Sequence, residues 1–283
     1  MSIIHKIVNK HPLDMSKLDT FVSAIDGAVC EKRGKGVFYL WVDGKSTRGF
    51  NISLEPNFIE VRNMVLSNRF DYDLTNKIVS EILTQTDGFV INEEEEITYP
   101  PLFENRKISE AEIHDCEIIH TLSKENEIAI DGAVRKVHFG KRLYKEFELL
   151  KGEQLKTKMF DLILKVNYQI PNFETGNIMK VTNPEDDEPK IMKLLSNSAN
   201  CIVGKYDNIL LYRTDAPIMI TNEILNKFLP LGWTLVDEYT IVAPIIKQSD
   251  WEKLLADTEK YNLMKTTMPT HNSRFQCATK RET

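Results

Sequence analysis

The chain has 283 residues, 42% of them hydrophobic and 28% charged, with a formal net charge of -6. That hydrophobic share supports a packed core and excludes a wholly disordered chain, and no apolar run approaches the ~20 residues that a membrane-spanning helix needs. The length suits one large domain or two of roughly 100–150 residues, and the mild acidity argues against a general affinity for nucleic acid.

In chain order, the first segment, Met1 to Lys6, lacks a charged stretch followed by a continuous apolar one, so no secretory signal is expected and a cytoplasmic location is. Leu18, Phe21, Val22 and Ile25 recur at helical spacing and predict a short helix. Asp26-Gly27 and Gly34-Lys35-Gly36 punctuate the chain. Three strands follow at Val37–Val42, Phe50–Leu54 and Phe58–Arg62, joined by connections too short for parallel crossovers, so an antiparallel meander is expected. A helix from about Leu74 to Thr84 is capped by Asp71 or Asp73 and closed by Gly88, and Phe89–Ile91 forms a short strand before Glu93–Glu96. Tyr99-Pro100-Pro101 supports neither helix nor ladder and marks a boundary between two units.

Beyond it, Ser109 with Glu112 reads as a capping box for a helix carrying Ile113, Ile118, Ile119 and Leu122. Extended segments at Glu127–Val134 and Lys136–Tyr144 precede a helical stretch to Tyr168. Residues 171–200 are turn-rich, and Asn183–Pro189 reads as an exposed loop. Strands at Cys201–Val203, Ile209–Tyr212 and Ile218–Ile220 follow, then a helix at Thr221–Phe228, strands at Thr234–Val236 and Ile241–Ala243, and a helix at Asp250–Tyr261. Residues 265–283 have no periodicity and read as a mobile tail.

The expected fold class is α+β: two packed units built on antiparallel sheets, at 1–101 and 102–264, with an insertion near 147–200 in the second. An internal duplication is one reading of this plan. Ala24-Ile25-Asp26-Gly27-Ala28-Val29 recurs identically at Ala129–Val134. The order helix, Gly, aromatic, strand, acidic pair, Ile, Pro is also shared by residues 75–100 and 221–244. In each, Gly is expected to end the helix by taking φ > 0. The helix, three-strand meander, helix order near the N-terminus resembles secretion-chaperone-like domains, a likeness of element order without functional force.

Few motifs carry chemistry. Gly44-Lys45-Ser46 matches the end of a phosphate-binding loop, but Tyr39 stands where the first glycine belongs and a strand follows instead of a helix, so a hairpin turn is the better reading. Cys30, Cys116, Cys201 and Cys277 form no C-x-x-C pair, and reduced thiols are expected. His114, Cys116, Glu117 and His120 share a predicted helix and form the best candidate for a dispersed hydrolase site. Glu93–Glu96 with Asp237-Glu238 reads as solvated acidic turns rather than a cation site. Neither metal nor cofactor is implied.

Arg135, Lys136, Lys141 and Arg142 lead a basic stretch interleaved with Phe139 and Tyr144, a pattern that can grip a nucleic-acid backbone. Glu146, Glu148 and Glu153 follow at once, so a local solvated face or a protein-docking patch is preferred there. The leading functional expectation is a non-catalytic protein-interaction protein of the immunity, chaperone or adaptor kind, its partner unspecified. It calls for an exposed sheet edge or an aromatic patch containing Trp41 or Trp233. The hydrolase ranks second and nucleic-acid binding through residues 135–145 third.

Overall fold

Residues 2–173, 177–181 and 189–264 are described by the computed structural model; the expected loop (all but Pro189) and the expected tail lie outside them. The chain divides into two compact units, 1–169 and 170–283. The helices and antiparallel sheets give the α+β class expected from the sequence.

The first unit is organised by strands whose apolar residues alternate, so that one sheet face can be buried and the other left partly wet. Strands β1 (Ile3–Val8), β2 (Ala28–Gly34), β3 (Val37–Val42), β4 (Phe50–Leu54), β5 (Ile59–Asn63), β6 (Phe89–Ile91) and β7 (Ile97–Thr98) form one sheet in the order β2-β3-β4-β5-β1-β6-β7. The meander β3-β4-β5 is as expected. Two members carry no clear sequence signal. In β1, His5 and Lys6 interrupt the apolar run, yet Ile3, His5 and Ile7 register with Asn63, Val61 and Ile59 on the inner face. In β2, Glu31, Lys32 and Arg33 hide a strand that pairs along all of β3.

Helices α1 (Met15–Ser23) and α2 (Arg69–Thr86) cover the inner face. Leu18 and Val22 from α1 and Leu74, Ile78, Val79 and Ile82 from α2 pack on Ile7, Leu40, Phe50, Ile52 and Val61. Helix α2 starts five residues before its expected first residue, with Asn68 as N-cap in a capping box with Asp71. Its end also differs: Asp87, not Gly88, takes the left-handed conformation at φ 49. Gly88 is required for another reason, since a Cβ there would lie 2.6 Å from the Val8 carbonyl oxygen.

The same unit continues through α3 (Asn105–Leu122), the hairpin β8 (Ile128–Asp131) and β9 (Lys136–Phe139), α4 (Lys141–Phe147), α5 (Gly152–Leu164) and a π-helical turn at Lys165–Gln169. Tyr99-Pro100-Pro101 therefore lies inside the first compact unit and not at its edge. The tie is polar: on α3, Asp115 Oδ2 accepts from Leu66 N at 2.8 Å and Glu112 Oε1 from Arg69 N at 2.6 Å, both donors belonging to the β5–α2 connection. Ser109 sits within α3 and caps nothing. Lys141–Tyr144 is helical where extended chain was expected, because the strand stops at Phe139 and Gly140 caps α4.

The second unit contains β10 (Ile178–Val181), β11 (Lys190–Leu195), β13 (Asn208–Leu211) and β14 (Ile218–Ile220) in one sheet, and β12 (Cys201–Val203), β16 (Ile241–Ala243) and β15 (Thr234–Leu235) in another. The pair β11–β13 runs parallel, whereas the other pairs among the described residues are antiparallel. Helices α6 (Asn222–Lys227) and α7 (Gln248–Thr258) contribute Leu225, Trp251 and Leu254 to a core shared with Ile209, Leu211, Ile218, Trp233 and Ile241.

The two sequence correspondences land differently. Ala24 caps α1 and Gly27, at φ 71, leads into β2, whereas Ala129, Ile130 and Asp131 are already within β8 and Gly132 follows it. Residues 75–100 and 221–244 both form helix, turn and hairpin, with Glu93-Glu94 and Asp237-Glu238 at the hairpin turns.

Candidate functional site

The second half of the β3–β4 connection, Ser46 to Gly49, is buried, which is unusual for a loop because its backbone groups then need partners inside the protein. They find them. Asp71, fully buried at the start of α2, accepts from the backbone N–H groups of Arg48 (3.2 Å), Gly49 (2.9 Å) and Asn68 (2.9 Å). The Thr47 hydroxyl donates to the Leu66 carbonyl at 2.6 Å, and the Thr47 carbonyl accepts from Ala133 N and Asn167 Nδ2, each at 3.0 Å. Tyr168 donates its hydroxyl to the Ser46 carbonyl at 2.9 Å, and Tyr39 donates to that of Arg48. Burial pushes the Asp71 carboxyl upward and the Arg48 guanidinium downward from their usual ranges.

Two glycines permit this arrangement. Gly49 takes φ 69, and a Cβ there would lie 2.5 Å from the Leu40 carbonyl oxygen, while a Cβ at Gly132 would overlap both the Arg135 carbonyl and Asn167 Oδ1. The segment that resembles the end of a phosphate loop is thus an internal knot joining sheet, α2 and the β8–β9 hairpin. The carbonyls of Lys45, Ser46, Thr47 and Arg48 and the amides of Lys45, Ser46, Arg48 and Gly49 are engaged inside the protein.

The sheet so fixed has a second, outer face. Ile4, Lys6, Val8, Val29, Trp41, Asn51, Glu60, Arg62, Phe89 and Ile91 alternate with the inner residues, and they are half-buried or exposed. Apolar groups flank a polar middle, where Arg62 pairs with Glu60 at 3.0 Å. At one end Trp41 packs on Tyr39, ring centroids 5.3 Å apart, and the Arg33 guanidinium lies 3.5 Å from the Tyr39 ring centroid.

The other expected site residues are separated by the fold. Trp233 belongs to the core of the second unit, 8% exposed, with its indole N–H donating to the Pro244 carbonyl at 2.9 Å, so it is not a surface aromatic. Arg135 is structural: its Nη1 donates to the Asn167 carbonyl at 3.1 Å. Lys136 pairs with Asp131 at 3.4 Å and Arg142 with Glu146 at 2.9 Å, leaving Lys141 at the start of α4 and Lys145 in its last turn as exposed cations. The basic stretch is therefore largely neutralised by its own neighbours.

The His114–His120 constellation is also split. Cys116 is fully buried, and burial pushes its thiol far above the range in which a thiolate forms. His114 and Glu117 point to solvent, while His120 stacks on Tyr144 at 4.7 Å and donates through Nε2 to the Tyr144 carbonyl at 3.1 Å. A nucleophile and base in contact do not result. Among the described residues no three His, Cys, Asp or Glu side chains converge as a metal site, and no helix is long and apolar enough to cross a membrane. Cys30, Cys116 and Cys201 are free thiols.

The element that sequence reasoning missed here is the outer face itself, because β1 and β2 were not recognised and the face exists only once seven strands align. The β-branched pairs Ile3-Ile4 and Ile7-Val8 on either side of His5-Lys6 were the available signal. Comparison with curated proteins yields no match, and comparison with solved structures yields none either. One family model does match, over residues 7–165, a span that takes in nearly all of the first unit. The chain belongs to the family described as Domain of unknown function (DUF4299).

Proposed function

We propose that this protein is a non-catalytic protein-interaction protein whose family domain presents the outer face of its seven-stranded sheet to a protein partner. The observation that carries the reading is the asymmetry of that sheet. Helices α1 and α2 bury the inner face in one continuous core, while the outer face keeps Ile4, Phe89 and Ile91 on one flank and Val29 and Trp41 on the other without joining that core. A mixed surface with apolar flanks and a paired polar centre has the composition of a reversible protein interface. The free cysteines are consistent with work in a reducing cytoplasm.

The test is site-specific photocrosslinking in the native host. A photoreactive residue placed at Asn51 or Ser53, on the outer face, is expected to give a discrete protein adduct, and one at Ser80, on the exposed side of α2, is not. Equal adducts at all three positions, or none at any, would overturn the reading.

A further inference from the structure

The outer face has one corner where apolar surface, an open strand edge and dense negative charge meet. Register aligns Lys6, Ile91 and Ile97 in one row across β1, β6 and β7, and Val8 with Phe89 in the next. Ile97 is 58% exposed and Tyr99, two residues on, is 73% exposed. Asn92 N donates to the Glu96 carbonyl at 3.0 Å, which makes that pair the hydrogen-bonded one. Hydrogen-bonded and non-bonded pairs alternate in an antiparallel ladder, so Ile97 turns its own N–H and C=O away from β6. Strand β7 is the last in the sheet, and those groups face outward.

The opposite edge is guarded along its length, whereas β7 is limited only by its shortness, two residues between Glu96 and Tyr99. On β2, Glu31, Lys32 and Arg33 are exposed, and the register shifts between Lys32 and Gly34, both devices that deter strand addition. Beside β7 stand Glu93–Glu96: Glu93 accepts from Ile4 N at 2.9 Å, while Glu94 and Glu95 are exposed.

We infer that β7 is the docking edge, and that the occupant is an extended, basic segment of a partner protein adding an eighth strand. Its backbone would pair with Ile97, its apolar side chains would lie on Ile97 and Tyr99, and its lysine or arginine residues would face Glu94 and Glu95. A second copy of this chain suits the site less well. Antiparallel self-pairing about Ile97 sets Glu95 against Tyr99 and Glu96 against Thr98, and offers the carboxylates no cation. The inference rests on the protein-interaction reading above and names the chemistry of its partner.

The experiment titrates the full chain into two dye-labelled seven-residue peptides, one alternating lysine with valine and one alternating glutamate with valine, and follows anisotropy. The basic peptide is expected to bind, more weakly as salt rises, and the acidic one is not. The double variant E94Q/E95Q is expected to weaken binding by about 2- to 30-fold, the loss of two exposed ion pairs. Ile97→Pro removes the outward N–H while sparing the pairing with β6, and is expected to abolish binding. Should that variant not fold, hydrogen exchange of the Ile97 amide in the wild type replaces it, with protection on peptide addition expected.

Equal binding of both peptides would overturn the inference, as would basic-peptide binding indifferent to E94Q/E95Q. So would a concentration-dependent dimer that Ile97→Pro dissolves. Loss of peptide binding with crosslinks at Asn51 and Ser53 intact would remove the edge and leave the interaction reading standing. Peptide binding at β7 without those crosslinks would do the reverse.

Discussion

Lys193 lies on β11 in the second unit with no exposed surface, and its Nζ finds no hydrogen-bond partner among the described residues. The nearest compensation is the Tyr206 ring, 6.0 Å from Nζ to the centroid, at the outer limit of a useful cation–π contact. Burial pushes the amine below its usual range, and the neighbouring Cys201 opposes this only in part. A buried donor without an acceptor destabilises the folded state by about 1–3 kcal/mol. Lys193→Met keeps most of the stem and removes the orphan, with a repacking loss of under about 1.5 kcal/mol. The variant is therefore expected to stabilise the second unit, by up to about 3 kcal/mol where the repacking loss is small. In a domain of roughly this size each kcal/mol raises Tm by about 4–8 °C.

The pH dependence has a definite sign. The unfolded lysine titrates near ~10.4, and the folded pKa is lower. Above the unfolded value both states are neutral and Lys193 carries no charge penalty. As pH falls through that value the unfolded chain binds a proton that the folded one does not, so stability drops with a slope of at most about 1.4 kcal/mol per pH unit. The decline ends below the folded pKa, where both states are charged. Urea unfolding of wild type and variant at several pH values between 7 and 10, followed by a probe of the second unit such as its tryptophan emission, should show a gap that widens as pH falls. A variant less stable than wild type at pH 7, or a gap that does not change with pH, would refute the reasoning.

Two further outcomes follow from the buried centre of the first unit. Asn167→Ala leaves Val134 N and Arg135 N without their acceptor and the Thr47 carbonyl without one of its two donors; a loss of about 2–4 kcal/mol is expected in chemical denaturation. Cys116 and Cys201 are both buried, with their thiols pushed up by burial, so neither is expected to react with iodoacetamide at neutral pH until the protein is unfolded; peptide mass spectrometry of native and urea-treated samples reads this directly.

Local pattern alone determined the elements that carry their own signals. The meander β3-β4-β5 is legible because aromatic and β-branched runs alternate between tight turns, and α7 because Trp251, Leu254 and Leu255 keep helical spacing. The α+β class follows from those elements together. Strand β1 was hidden because His5, an inner-face residue, looks polar in sequence, and its burial opposite Val61 and against the Phe103 ring, 5.3 Å away, exists only in the folded chain. The division of the chain was hidden for a similar reason: Pro100-Pro101 punctuates the sequence, but Asp115 and Glu112 reach back across it to the amides of Leu66 and Arg69.

The candidate site was the least legible part. Trp41 and Trp233 are alike as sequence, yet one lies half-buried on a sheet face and the other is sealed in a core, since burial depends on what the chain brings against a residue and not on the residue. The basic stretch 135–142 looked like a surface for binding until its partners, Asp131, Glu146 and the Asn167 carbonyl, were in position. Composition, charge and element type were thus decided by the sequence itself. Which residues each sheet face buries, which strands end the sheet and which charges are paired were decided only by the tertiary structure, because each depends on contacts between residues far apart in the chain.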